Sequence, residues 1–148
     1  MTTPKPVVLH VEDDDASAYL FRIYLRRQHA DVDVFRLCNG ADATLFLTRS
    51  GVFADAPRPS VVVLDLDLPK KNGHEILSEI RQDAALKDIP VIIFSSSVRP
   101  HDRDRAFSLG VNHFIQKSSD LDVFGALAQR VQEYLPAPTE VPKPPPQE

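Results

Sequence analysis

The chain has 148 residues, 43% of them apolar, a single cysteine and a formal charge of −4, which suits one domain with a sizeable core. That charge speaks against a nucleic-acid surface, where phosphate contacts need clustered Lys and Arg, and the lone Cys38 excludes an intrachain disulfide and a cysteine-rich zinc site. With no long apolar run for a membrane span and no signal-peptide pattern at the N-terminus, a soluble, cytoplasmic protein is expected.

Residues 1–6 read as a short, mobile lead. Val7 to Val11 reads as a strand buried on both faces, and it runs into four acids, Glu12 to Asp15. Asp14 and Asp15 suit a helix start, where the helix dipole favours negative charge, while Glu12 and Asp13 stand at the strand's end. Between Ala16 and Gln28, Leu20, Ile23, Tyr24 and the stem of Arg27 recur at helical spacing. A second strand runs from Val32 to Cys38, with Cys38 expected as a small core residue. Asn39-Gly40 breaks it, and a helix follows over Ala41 to Arg49 with Leu45, Phe46 and Leu47. The connection Ser50 to Pro59 is longer than such units need; it is read as an idle surface loop, with an interaction feature as the alternative.

Val61 to Leu64 is the most apolar strand, ending in Asp65-Leu66-Asp67-Leu68-Pro69, where Pro69 forbids further regular pairing. Lys70 to Gly73 forms a turn, and Ile76, Leu77 and Ile80 share one face of the next helix. A fourth strand, Ile89 to Phe94, runs into Ser95-Ser96-Ser97. Pro100 marks the start of a helix and Gly110 its stop. Asn112 to Gln116 is a fifth strand, followed by Lys117. Ser118-Ser119-Asp120 can cap a last helix with Leu121, Phe124, Ala128, Val131 and Leu135 in its stripe. Residues 136–148 are Pro-rich and polar and are expected to be disordered or extended. Five strands alternating with five helices over residues 7–135 predict an α/β, doubly wound parallel sheet. The order 2-1-3-4-5 puts its switch point between strands one and three.

In that topology Glu12 and Asp13 lie beside Asp65, with Ser95 and Lys117 ending the two strands beyond. Two carboxylates about 4 Å apart repel by roughly 4 kcal/mol at an effective dielectric near 20. Either they protonate or a cation sits among them, and a hard ion held by carboxylates, a carbonyl and waters describes Mg²⁺. The histidines show no zinc-ligand spacing, and there is no Gly-rich phosphate loop. Magnesium beside a nucleophilic carboxylate suggests phosphoryl transfer, with Lys117 and the Ser95 hydroxyl on phosphoryl oxygens.

An acid pair after strand one, Asp65 with Leu68-Pro69 and Asn72-Gly73 after strand three, a hydroxyl at Ser95 and Lys117 after strand five resemble the receiver domain of two-component response regulators. The resemblance covers residues 5 to 135. It implies that Asp65 accepts a phosphoryl group from a phosphohistidine, and that Glu12 and Asp13 hold Mg²⁺ with Asp65 and the Asp67 backbone carbonyl. Ser95 is then the switch hydroxyl, Phe114 the switch aromatic and Lys117 the phosphate-binding lysine. Such a protein is a phosphoacceptor rather than an enzyme, with at most self-catalysed phosphorylation and dephosphorylation.

Two departures stand out. Ser118 occupies the place of the proline that commonly follows the lysine through a cis peptide; a non-proline cis bond costs about 3–4 kcal/mol, so a locally altered turn is expected. Phe114 lacks the tyrosine hydroxyl common in the family, leaving packing as its only means of switching. The Ser50 to Pro59 connection, the Lys70 to Gly73 turn and the lack of an output domain are similar to single-domain regulators paired with bacterial phytochromes. The partners implied are a sensor histidine kinase and a second copy of the chain, bound through the last two helices and the fifth strand. One alternative is a haloacid-dehalogenase-like phosphohydrolase, which Asp65-x-Asp67 mimics, although that motif normally follows the first strand. Another is a receiver used as a non-phosphorylated scaffold, against which Asp65 and Lys117 weigh.

Overall fold

The computed structural model describes residues 5–136. Five strands, β1 (Val7–Val11), β2 (Asp33–Leu37), β3 (Val61–Leu64), β4 (Val91–Ser95) and β5 (His113–Gln116), form one sheet in the order β2-β1-β3-β4-β5. Every neighbouring pair is parallel. The helices are α1 (Asp15–Gln28), α2 (Gly40–Thr48), α3 (Gly73–Gln82), α4 (Pro100–Ser108) and α5 (Asp122–Gln132). This is the predicted α/β, doubly wound arrangement.

Strand alternation divides the core between the two faces of the sheet. Leu9, Val11, Val62, Leu64 and Ile93 meet Phe46 of α2, Ile76, Leu77 and Ile80 of α3, and Ala106 of α4. Val8, Val61, Val63, Ile92 and Phe94 meet Phe21 and Leu25 of α1 and Phe124, Leu127 and Val131 of α5. All four residues of β3 are inaccessible to solvent. At about 1.5–3 kcal/mol per fully buried aliphatic side chain, that strand contributes heavily to the fold and holds its own end rigidly.

Each of the first three helices begins on a side chain that satisfies an otherwise unpaired amide. Asp14 accepts from Ser17 N at 3.0 Å, Asn39 from Asp42 N at 2.8 Å and Asn72 from Glu75 N at 3.0 Å. Behind the sheet, Arg81 ties α3 to the start of β4, donating to the Ile89 carbonyl at 2.7 Å and to Asn112 Oδ1 at 2.9 Å. Asn112 Oδ1 in turn accepts from Val91 N at 2.8 Å.

Several local expectations are corrected. Cys38 is exposed, because β2 is the edge strand and the chain has already left the sheet at Leu37. The inner face of α1 is Ala18, Phe21 and Leu25; Leu20, Ile23 and Tyr24 are half-buried on its shoulder and Arg27 is exposed. Leu45 and Leu121 lie outside the core. Leu121 is the N-cap residue of α5, and Asp120 bonds to Asp122 N at 2.9 Å as a turn instead of capping the helix. The Ser50 to Pro59 connection contains a single turn of 3-10 helix, Gly51–Phe53, and Phe53 packs on Phe46 with ring centroids 5.6 Å apart.

Among the described residues no peptide is cis, Lys117–Ser118 included. Of the lead and the tail, residues 1–4 and 137–148 lie outside the described residues. Pro6 and Pro136, read as parts of those segments, are both tied down. The Pro6 carbonyl accepts from Asp33 N at 3.0 Å, and the Pro136 carbonyl lies 3.1 Å from His29 Nε2.

Candidate functional site

The backbones of Glu12, Asp65 and Lys117 are each pinned by the neighbouring strand. Glu12 N donates to the Leu37 carbonyl at 2.9 Å, Asp65 N to Val11 at 3.1 Å and Lys117 N to Ser95 at 2.8 Å. The sheet ladder therefore continues one residue past its strands, and side chains distant in sequence are set on one rigid rim. This is the crevice at the carboxyl ends of β1 and β3, where open α/β sheets hold ligands.

Lys117 joins the two acids. Its Nζ lies 2.5 Å from Glu12 Oε1 and 2.9 Å from Asp65 Oδ2. The second Asp65 oxygen accepts from Asp67 N at 3.1 Å. Glu12 is 1% and Asp65 6% exposed, so both charges are largely stripped of water. The face of Phe94 lies 5.6 Å from the Lys117 ammonium and adds a cation–π contact.

Burial pushes the Glu12 carboxyl up to about 7; the Asp65 carboxylate adds to this and Lys117 opposes it. Burial acts on Asp65 in the same sense, but Lys117, Glu12 and the Asp67 amide outweigh it and hold that carboxyl below the usual range. The two acids are thus pushed in opposite directions, Asp65 toward its ionised form and Glu12 toward its protonated one. Burial also works against the charged form of Lys117, yet hydrogen bonds to Glu12 and Asp65 raise its pKa above the usual lysine value.

Asp13 is exposed, and one carboxylate oxygen from each of Glu12, Asp13 and Asp65 falls in a group within 4.8 Å of one another. Three hard oxygen donors with no thiolate or imidazole in the set fit Mg²⁺ or Mn²⁺ and do not fit zinc. Ser95 is fully buried at the end of β4, and its Oγ accepts from Ser97 N at 3.3 Å. Phe114, half-buried on β5, lies under the Arg103 guanidinium at 5.9 Å.

Three neighbours were not legible in the sequence. Arg36 on β2 donates from Nε to the Glu12 carbonyl at 2.9 Å and from Nη1 to Asp15 at 2.6 Å, bracing the acidic turn from outside. His10, buried on β1 edge-on to Phe21 at 4.7 Å, lies two residues before Glu12 on the same face of the strand. Its pKa falls to about 3, through burial first and then the nearby Lys117 and Arg36 charges. Lys71 bridges Thr44 at 3.0 Å and Glu79 at 2.6 Å, fixing the loop after Asp65 to α2 and α3. Only the parallel register, which sets His10 opposite Arg36, could have pointed to the first two.

A parallel sheet with this order, carrying a carboxylate triad and a lysine on its rim, is a doubly wound domain with a charged site at its switch point. Residues 8–129 match the response regulator receiver domain, and the chain belongs to that family. It is 35% identical over 133 residues to the response regulator Rcp1 of Synechocystis sp., covering 90% of each protein. The phosphorylated cyanobacterial phytochrome response regulator RcpA superposes with a TM-score of 0.83 at 33% identity, over 89% of this chain and 94% of that one. The Mn²⁺-bound form of Rcp1 gives 0.81 at 36% identity, over 90% and 100%. The bacteriophytochrome response regulator AtBRR gives 0.75 at 30% identity, over 91% and 97%. Family membership sets the phosphohydrolase alternative aside.

Proposed function

We propose that Asp65 is the phosphoacceptor of a Mg²⁺-dependent phosphorelay, fed by a sensor histidine kinase of the phytochrome type. The observation that carries this reading is the Lys117 ammonium seated between Asp65 and Glu12, which keeps Asp65 ionised in a largely dry crevice. In the transfer an Asp65 oxygen forms a bond to phosphorus, the phosphorus–nitrogen bond of the donor phosphohistidine breaks, and the imidazole leaves with that electron pair. Lys117 turns from Asp65 to a phosphoryl oxygen while its contact to Glu12 keeps it in place. Glu12, Asp13, Asp65 and the Asp67 backbone carbonyl would hold the metal, whose part is to neutralise charge on the phosphoryl oxygens. Ser95 then bonds another phosphoryl oxygen, and Phe114 repacks by shape alone because it carries no hydroxyl.

On this reading the protein is not an enzyme toward outside substrates; it catalyses at most its own phosphorylation and dephosphorylation. It works in the cytoplasm, without a nucleic-acid or membrane partner, and as a homodimer through α4, β5 and α5. No helix among the described residues is long and apolar enough to cross a membrane. The test is mass spectrometry after exposure to a small acyl phosphate. One phosphoryl adduct is expected with Mg²⁺, none after chelation and none in Asp65→Asn. Equal labelling of wild type and Asp65→Asn would assign the chemistry elsewhere, and no labelling of either would favour a scaffold.

A further inference from the structure

The Ser95 hydroxyl stands at the inner end of a chain of hydrogen bonds that leads away from Asp65. Ser95 Oγ accepts from Ser97 N at 3.3 Å. Ser97 Oγ donates to Asp102 Oδ2 at 2.5 Å and accepts from Arg99 N at 3.3 Å. Arg99 Nε donates to the same Asp102 oxygen at 3.0 Å. The Asp102 carbonyl lies 3.0 Å from Nε2 of His74, a buried residue in the first turn of α3. Meanwhile the Ser95 carbonyl is held by Lys117 N at 2.8 Å. The backbone at the strand end is therefore fixed, and the Ser95 hydroxyl is held from the following loop by the Ser97 amide.

The plain explanation for Asp102 is helix capping. Arg99, the N-cap residue of α4, makes no side-chain capping bond, and an acid in the first turn compensates through the helix dipole. Capping accounts for an acid at this place. It leaves unexplained why that acid takes the Ser97 hydroxyl, whose own amide then engages Ser95. An aspartate half-sheltered at 17% side-chain exposure and accepting two donors makes a charge-assisted clasp, stronger than a neutral one.

We propose that Asp102 is a positioning residue which, through Ser97, holds the Ser95 hydroxyl in its resting orientation and so sets the balance between resting and phosphorylated states. The inference rests on the reading of Asp65 as phosphoacceptor. In this proposal the side chain must turn to bring Ser95 Oγ to a phosphoryl oxygen on Asp65, and the bond from the Ser97 amide, held in place by the clasp, opposes that turn. Its release tilts a two-state equilibrium toward the phosphorylated arrangement without touching Asp65, Lys117 or the metal ligands.

The probe is beryllofluoride with Mg²⁺, a phosphoryl mimic, titrated by calorimetry or fluorine NMR because the chain has no tryptophan. Asp102→Ala and Ser97→Ala should each bind it about fivefold more tightly than wild type, the size expected from losing one ordinary neutral hydrogen bond, that from the Ser97 amide to Ser95 Oγ. The double variant should match either single, since both break the same chain. Ser97→Thr, which keeps the hydroxyl, should restore wild-type affinity. Unchanged or weaker affinity in the alanine variants overturns the clasp, and a lowered melting temperature with wild-type affinity reduces Asp102 to a cap. If wild type itself fails to bind the mimic, the phosphoacceptor reading fails and the clasp falls with it.

Discussion

Lys117 and Glu12 meet at 2.5 Å in a place almost closed to water. Crowded acids call for protonation or for a cation among them, and in this pocket the cation is the chain's own lysine. The same ammonium also holds Asp65 at 2.9 Å. Its departure from either acid leaves a charge without solvent, so the pocket resists opening until something positive or a phosphoryl group enters.

Lys117→Met should therefore destabilise the metal-free protein by about 3 kcal/mol at pH 8, the usual cost of unpairing a buried ion. The loss should shrink at pH 5, because Glu12 without its partner takes up a proton more readily. Urea unfolding at the two pH values measures this. An equal loss at both would mean that side-chain packing, not charge, is what Lys117 supplies.

His10 and Glu12 pull the pH dependence in opposite directions. Glu12 has a folded pKa near 7 against an ordinary value of 4.5, so the folded state holds the extra proton and stability falls as pH rises through that window. His10 has a folded pKa near 3 against 6.5, so the unfolded state holds the extra proton and stability rises with pH between them. The two slopes oppose each other between 4.5 and 6.5. Wild type should show a shallow profile there in EDTA, Glu12→Gln a steeper rise and His10→Leu a fall. Parallel profiles for all three proteins would contradict the assignment.

Gly73 opens α3 against the acceptor loop, and a Cβ there would lie 2.3 Å from the Asp65 carbonyl oxygen and 3.0 Å from Leu66 Cα. Backbone cannot yield as a flexible side chain does. Gly73→Ala should cost about 3 kcal/mol and disturb Asp65 directly. Gly51, with φ +60 and open space around it, makes the control: Gly51→Ala should cost about 1 kcal/mol from backbone strain alone. Comparable losses in thermal unfolding would show that the loop after β3 is looser than its contacts imply.

The proposed dimer face carries Phe107, 46% exposed on α4, beside the half-buried Phe114. Arg103 spans both rings, with its guanidinium 5.6 and 5.9 Å from their centroids. Sedimentation at micromolar concentration should find dimers without phosphate, tightened modestly by beryllofluoride, and Phe107→Asp should shift the population to monomer. Monomeric wild type under both conditions would assign this face to a different partner.

Strand ends were the most legible part of the sequence, because a fully buried parallel strand is a run of apolar residues and whatever stops it is conspicuous. Glu12, Asp65, Ser95 and Lys117 were found that way, and the sheet brings them to one rim. Amphipathic detail was harder to read. In α1, Leu20, Ile23 and Tyr24 form as good a stripe as Phe21 and Leu25, and only the neighbouring α5 decides which turns inward. Cys38 reads as internal because the apolar run of the second strand carries through to it, whereas the strand stops at Leu37. Arg36 and Lys71 are not legible because Glu12, Asp15 and Thr44 lie 21 to 27 residues from them, and Glu79, eight residues from Lys71, is reached from a loop across the start of α3, where no periodicity connects the two.

The exposure of Cys38 has a practical side. It follows Leu37, whose carbonyl receives the Glu12 amide at 2.9 Å, so it is one residue from the strand contact that anchors the acid pocket. As the chain's single thiol, it accepts a maleimide dye or a spin label without prior mutagenesis. A reporter attached there sits outside the pocket yet shares its backbone, and metal entry, phosphoryl uptake and decay can each be followed as a change in its signal.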